Sequence, residues 1–177
     1  MARLYLSSPL REQDRLYIDK VKSALYELNQ FYYKHDQFAI KLDSVSIQQN
    51  IFAGKAYNVY PDDIAKEIAD TEFNELNNTD GMIVVIPPSY HECTTGVAVE
   101  IGYAIAKKIP ILLFIDKTRP INNLSLTIRF YDKLYIHYID DDIKLIITEF
   151  VRDINEQINH RSSNKLNVLT TIVLEDC

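Results

Sequence analysis

Two uninterrupted apolar runs, Met82 to Ile86 and Ile109 to Ile115, constrain this chain more than anything else in it. A strand with one face in water alternates apolar and polar residues; a strand apolar at every position must be covered on both faces. Between the two runs lies Thr94-Thr95-Gly96-Val97-Ala98-Val99-Glu100-Ile101-Gly102-Tyr103-Ala104-Ile105-Ala106, which reads as a helix from about Thr95 to Lys108. Strand, helix and strand in that order describe a parallel unit with a right-handed crossover. Neither run is long enough to span a bilayer.

The rest of the chain extends the same alternation. Leu4-Tyr5-Leu6 reads as a first strand closed by the turn Ser7-Ser8-Pro9. Arg11 to about Tyr33 reads as a helix with Leu16, Val21, Leu25 and Leu28 near one face, and Phe38 to Leu42 as a second strand. Asp43 to Tyr60 is polar and reads as a loop or lid. Pro61-Asp62-Asp63 opens a helix to about Asn77, with proline and acids where a first turn favours them. Gly81 to Pro87 is the third strand, Ile109 to Ile115 the fourth and Leu134 to Tyr138 the fifth. Asp140-Asp141-Asp142 caps a final helix to about His160, with Ile143, Leu145, Ile146 and Phe150 inward. The fold class is therefore α/β: a Rossmann- or flavodoxin-like, doubly wound, mainly parallel five-stranded sheet flanked by helices. Residues 1–160 form one domain; 161–177 are a linker and tail, with Asn167 to Glu175 either an extra strand or a contact with another subunit.

Composition narrows the partners. A chain of 177 residues suits one domain with a full core. The net charge of -6 argues against nucleic acid or an anionic membrane as the main partner. Two cysteines, Cys93 and Cys177, imply no disulfide framework. The N-terminus reads as a strand rather than a signal peptide, so the expected location is cytoplasmic. His91, Glu92 and Cys93 are adjacent in a loop without ligand spacing, and no glycine-rich fingerprint follows the first strand. Neither a metal nor a dinucleotide cofactor is expected.

In folds of this kind ligands sit at the carboxyl ends of the strands. Tyr5 to Ser8, Pro87 to Gly96 and Asp116 to Ser125 all follow strands and belong to that working edge, whereas Asp80 precedes one and is read as structural. Glu100 is the one charge in the stretch Thr94 to Ala106, and glutamate is among the residues least often buried without a partner. A charge placed there is expected to have a task.

Tyr5-Leu6-Ser7-Ser8-Pro9, Asp80-Gly81-Met82-Ile83-Val84-Val85 and Gly96-x-x-x-Glu100-x-Gly102-Tyr103-Ala104 together resemble the nucleoside 2-deoxyribosyltransferase superfamily. Arg119-Pro120-Ile121-Asn122-Asn123-Leu124-Ser125 is similar to the family's segment after the fourth strand, and the likeness covers roughly residues 3 to 130. It implies cleavage of an N-glycosidic bond. A glutamate captures the anomeric carbon as an ester while a second acid protonates the leaving base.

By that resemblance Glu100 is the nucleophile and Tyr5 orients it. Glu72 stands where the family carries an aspartate as the second acid, with Asp70 as its rival. Thr94, Thr95 and Gly96 at the helix start, Ser7 and Ser8 at the first turn, and Ser125 are the implied substrate contacts. Ser8 departs from the family's usual glycine. A hydroxyl at Thr94, where nucleoside-using members carry an acid, favours a 5'-monophosphate. Ser125 matches a hydroxyl that reaches in from a neighbouring subunit, so a homodimer or higher homo-oligomer is implied. The leading expectation is hydrolysis of a (deoxy)nucleoside 5'-monophosphate. Alternatives are a 2-deoxyribosyltransferase exchanging bases, a non-catalytic nucleotide-binding module, and an NAD-cleaving enzyme.

Overall fold

Four parallel strands, in the order β1-β2-β3-β4, form the sheet of the computed structural model, which describes residues 2–8, 15–34, 62–88, 95–118 and 120–175. The strands are β1 (Leu4–Ser7), β2 (Gly81–Ile86), β3 (Ile111–Ile115) and β4 (Leu134–Tyr138). Tyr5 pairs with Met82, Ser7 with Val84, Val84 with Leu113 and Leu113 with Ile136. The helices are α1 (Arg15–Lys34), α2 (Asp62–Asn77), α3 (Thr95–Ala106), the single turn α4 (Leu126–Arg129) and α5 (Ile143–Glu175).

Every residue of β2 and β3 is buried, as their unbroken apolar character requires. Because side chains alternate across a strand, the sheet supplies two cores. Leu4, Leu6, Ile83, Val85, Leu112 and Phe114 face α1 and α5, meeting Val21, Leu25, Ile147, Phe150 and Ile154. Tyr5, Met82, Val84, Ile86, Ile111 and Leu113 face the other way, against Leu76 of α2 and Val97, Ile101 and Ala104 of α3. Ser7 follows Tyr5 by two residues and so shares its face.

The edge opposite the carboxyl ends is sealed by Asp80, whose Oδ2 accepts the Arg3 backbone N–H at 2.8 Å. Gly81 beside it allows close approach. A Cβ there would lie 2.3 Å from Ile154 Cδ1 and 3.1 Å from Leu4 Cδ2. At the other end, Asp142 Oδ1 accepts the Leu145 N–H at 3.2 Å and caps α5.

Three expectations need correction. Leu16 and Leu145 are 68% and 54% exposed, while Ile147, one residue round the helix from Ile146, is fully buried. The apolar stripe of each helix is narrower than the count of leucines suggests. Residues 161–165, expected as a linker, and Asn167 to Glu175, for which a strand was one reading, lie instead within α5. No proline or glycine occurs between Ile143 and Glu175. Extending a formed helix is far easier than starting a new element, so β-branched residues alone do not end it. The expected second strand, Phe38 to Leu42, and the loop Asp43 to Tyr60 lie outside the described residues.

Candidate active site

The core stripe of α3 is Val97, Ile101 and Ala104. Glu100 stands three residues after Val97 and four before Ala104, so the helical period turns it toward the sheet beside that stripe. Across from it, β1 presents Tyr5 and Ser7 on one face, both only 2% exposed. The Tyr5 phenol donates to Glu100 Oε1 at 2.6 Å, and the Ser7 hydroxyl donates to Glu100 Oε2. Each carboxylate oxygen is thus held by a different protein hydroxyl.

Burial pushes the Glu100 carboxyl above its ordinary value, and the nearby Glu72 charge raises it further. The hydrogen bonds from Ser7 and Tyr5 favour the ionised form and oppose that rise without cancelling it. Burial also drives the Tyr5 phenol far above its usual range, followed by the charge of Glu100 and, more weakly, those of Glu72 and Glu75. Tyr5 therefore stays a neutral donor at any working pH. An anionic oxygen in an apolar wall, fixed by neutral donors, can stabilise positive charge at a carbon and form a bond to it.

Of the residues singled out in the sequence, Tyr5, Ser7 and Glu100 are brought together, and Glu72 of α2 lies near enough for its charge to act on two of them. Asp70, its rival, is 72% exposed on its side chain and pairs with Lys66 at 3.9 Å on the helix surface. Ser8 follows β1, half-buried. Thr95 is the first residue of α3, and Gly96 next to it is exposed with open space where a side chain would project. Thr94 lies outside the described residues.

Ser125 is exposed on its own chain, where its hydroxyl accepts the Ile128 N–H at 3.4 Å and caps α4. It is not among the groups gathered at Glu100. Sequence reasoning gave Ser7 to the substrate and missed its bond to Glu100. The signal was present: in a strand, residues two apart point the same way.

A carboxylate set at the carboxyl edge of a parallel sheet marks an α/β enzyme, and comparison with known families places it among the glycosyl-transferring ones. The model of the nucleoside 2-deoxyribosyltransferase family matches residues 4–168, and the chain belongs to that family. Among solved structures it is similar to a 2-deoxyribosyltransferase from Bacillus psychrosaccharolyticus. That match has 19% identity, covers 81% of this chain and 90% of the other, and has a TM-score of 0.55, which shows the shared fold. A conserved protein from Enterococcus faecalis V583 matches with 20% identity, 77% and 82% coverage and a TM-score of 0.48. No curated protein matches the chain. Among the described residues, no helix is long and apolar enough to cross a membrane.

Proposed function

We propose that this enzyme cleaves the N-glycosidic bond of a (deoxy)nucleoside 5'-monophosphate through a glycosyl ester on Glu100. The observation that carries the reading is the clasp of Glu100 by Tyr5 and Ser7 against an apolar wall. An oxygen of Glu100 bonds to C1' as the C1'–N bond breaks, and the bond electrons leave with the base. Glu72, whose charge reaches Glu100, supplies the proton that the base takes up. Water then attacks C1' on the opposite face, its proton passing to the Glu72 carboxylate and restoring the acid, and the Glu100 carboxylate is the leaving group. The product is the sugar 5-phosphate.

The preference for a monophosphate rests on chemistry at the start of α3. Thr94, Thr95 and the first-turn amides tolerate a phosphate that a carboxylate would repel. Ser125, exposed on its own chain, is free to reach a neighbouring subunit's site, so the active form is taken to be a homo-oligomer. Exchange of one base for another shares the same ester. The family match favours that second reading, in which a second base resolves the intermediate before water does.

The test is base release from ribo- and deoxyribonucleosides and their 5'-monophosphates by wild type and Glu100→Ala, with and without an added free base. Release from monophosphates that disappears in the variant is the expected result. Exchange that requires the added base would make the enzyme a transferase. No release from any substrate would leave only ligand binding, and nicotinamide release from NAD would redirect the reading to that substrate. Ser125→Ala is expected to weaken monophosphate binding more than nucleoside binding; equal losses would remove Ser125 from the phosphate site.

A further inference from the structure

Tyr5 is the residue expected to orient Glu100, and one donor would leave its carboxylate free to turn about the Cγ–Cδ bond. Ser7 removes that freedom. It is the last residue of β1 and lies about 6.6 Å further along the strand than Tyr5 at the usual rise. Its place is set by pairing with Val84 in the middle of β2. Its side chain is 2% exposed, so its hydroxyl has little access to solvent, and its donation goes to Glu100 Oε2.

We propose that Ser7 is a positioning residue, a second buried hydroxyl that fixes the plane of the Glu100 carboxylate and holds it ionised for attack. The inference rests on the reading of Glu100 as nucleophile, and it withdraws Ser7 from the substrate contacts.

The geometry has a chemical consequence. With Tyr5 on Oε1 and Ser7 on Oε2, both oxygens carry a donor before any ligand arrives, and the carboxylate need not reorganise as the ester forms. Among the described residues, the groups that act on Glu100 are Tyr5 and Ser7 from β1 and the charge of Glu72 from α2; Glu75 acts on Tyr5. The other α3 residues carry no charge, and the residues of β2 on this face, Met82, Val84 and Ile86, are apolar. Among the described residues, Ser7 and Tyr5 are thus the donors that oppose desolvation and like-charge repulsion at Glu100.

The decisive measurement is direct titration of the Glu100 carboxyl by carbon-13 NMR in protein labelled at glutamate Cδ, assigned with Glu100→Gln. It compares wild type, Ser7→Ala and Tyr5→Phe. A hydrogen bond to a charged group corresponds to about one pH unit or more, so each variant should raise the midpoint by about that amount. Ser7→Cys keeps the side-chain shape with a weaker donor and should shift it in the same direction by less. An unchanged midpoint in a folded Ser7→Ala protein would overturn the proposal.

Steady-state kinetics add a second readout. Ser7→Ala should lower kcat about tenfold with KM little changed, the loss expected for a charge-assisted hydrogen bond, and move the acid limb of the pH profile upward. A raised KM with unchanged kcat would return Ser7 to substrate contact and also overturn the proposal. Absence of base release in wild type would defeat the functional reading, while the NMR titration would still decide what Ser7 does.

Discussion

The Tyr5 hydroxyl on β1 lies 2.6 Å from Oε1 of Glu100 on α3, and it joins the first strand of the sheet to the helix that follows the second. The two residues are 95 positions apart in sequence. Their meeting depends on β1 lying beside β2, with Tyr5 opposite Met82. Tyr5→Phe keeps the ring in its core and deletes only the donor. It should reduce kcat roughly 10- to 100-fold, the loss typical of one charge-assisted hydrogen bond at a developing transition state. The acid limb of kcat/KM should move to higher pH, since a donor that favoured the carboxylate is gone. Profiles of wild type and variant measured side by side would test this; superimposable acid limbs would mean that the phenol does not set the ionisation of Glu100.

Glu100→Gln separates activity from stability. Burial raises the folded-state value of Glu100 above its unfolded value, so the folded protein holds this proton more tightly than the unfolded chain. Its contribution to stability is therefore fully present below the ordinary glutamate range and is lost as pH rises through the raised value. Above that raised value the ionised side chain destabilises the fold. Glutamine removes that charge, and the Ser7 hydroxyl can turn to accept from the new amide. The variant should be inactive in base release yet melt roughly 2–4 °C higher at pH 7, as about 1 kcal/mol would give in a chain of this size. The difference should shrink toward acid pH. A lower melting temperature across the whole range would show that the carboxylate supports the fold.

Local signals made most of the fold legible. Leu134 to Tyr138 carries its own boundaries because turn residues flank it, and β2 and β3 announce themselves by unbroken apolar character. In the sequence Glu100 stands out as the one charge between Thr94 and Ala106, and the structure turns that residue inward to two hydroxyls. What escaped depends on contacts between distant elements. The exposure of Leu16 and Leu145 follows from how α1 and α5 pack on the sheet, which helical spacing alone does not resolve. The path of residues 161–175 turned on the continuity of α5, against β-branched residues that favour a strand locally. The Ser7–Glu100 bond needed both the strand period and the knowledge that α3 covers that face.

Gly81→Ala probes the sheet's closed edge, away from Glu100. The new Cβ would meet Ile154 Cδ1 at 2.3 Å, Leu4 Cδ2 at 3.1 Å and Phe150 Cε1 at 3.2 Å. Overpacking of this kind typically destabilises by about 1–3 kcal/mol. Ile154→Val deletes the atom in the closest clash, so the double variant should recover part of the loss, although the valine alone is destabilising. Chemical denaturation of the four proteins gives the coupling directly. Additive losses would mean that the clash is relieved elsewhere, by movement of β2 or Leu4.

Glu72 and Asp70 lie two positions apart on α2, yet of the two it is Glu72 whose charge raises the Glu100 carboxyl and the Tyr5 phenol. Asp70 points along the surface to Lys66. Glu72→Gln removes a like charge, so the Glu100 carboxyl should ionise at lower pH and the acid limb of kcat/KM should move downward. If Glu72 also protonates the leaving base, kcat should fall about 10²- to 10⁴-fold, the range for loss of a positioned general acid. The loss should be smallest for bases that leave readily without a proton. Asp70→Asn should leave rate and profile unchanged. Rates for a series of bases of graded leaving ability, measured on both variants, separate the two effects of Glu72. A shifted acid limb with a uniform, small loss across the series would make it an electrostatic neighbour of Glu100. A loss that steepens with poorer leaving groups would make it the acid.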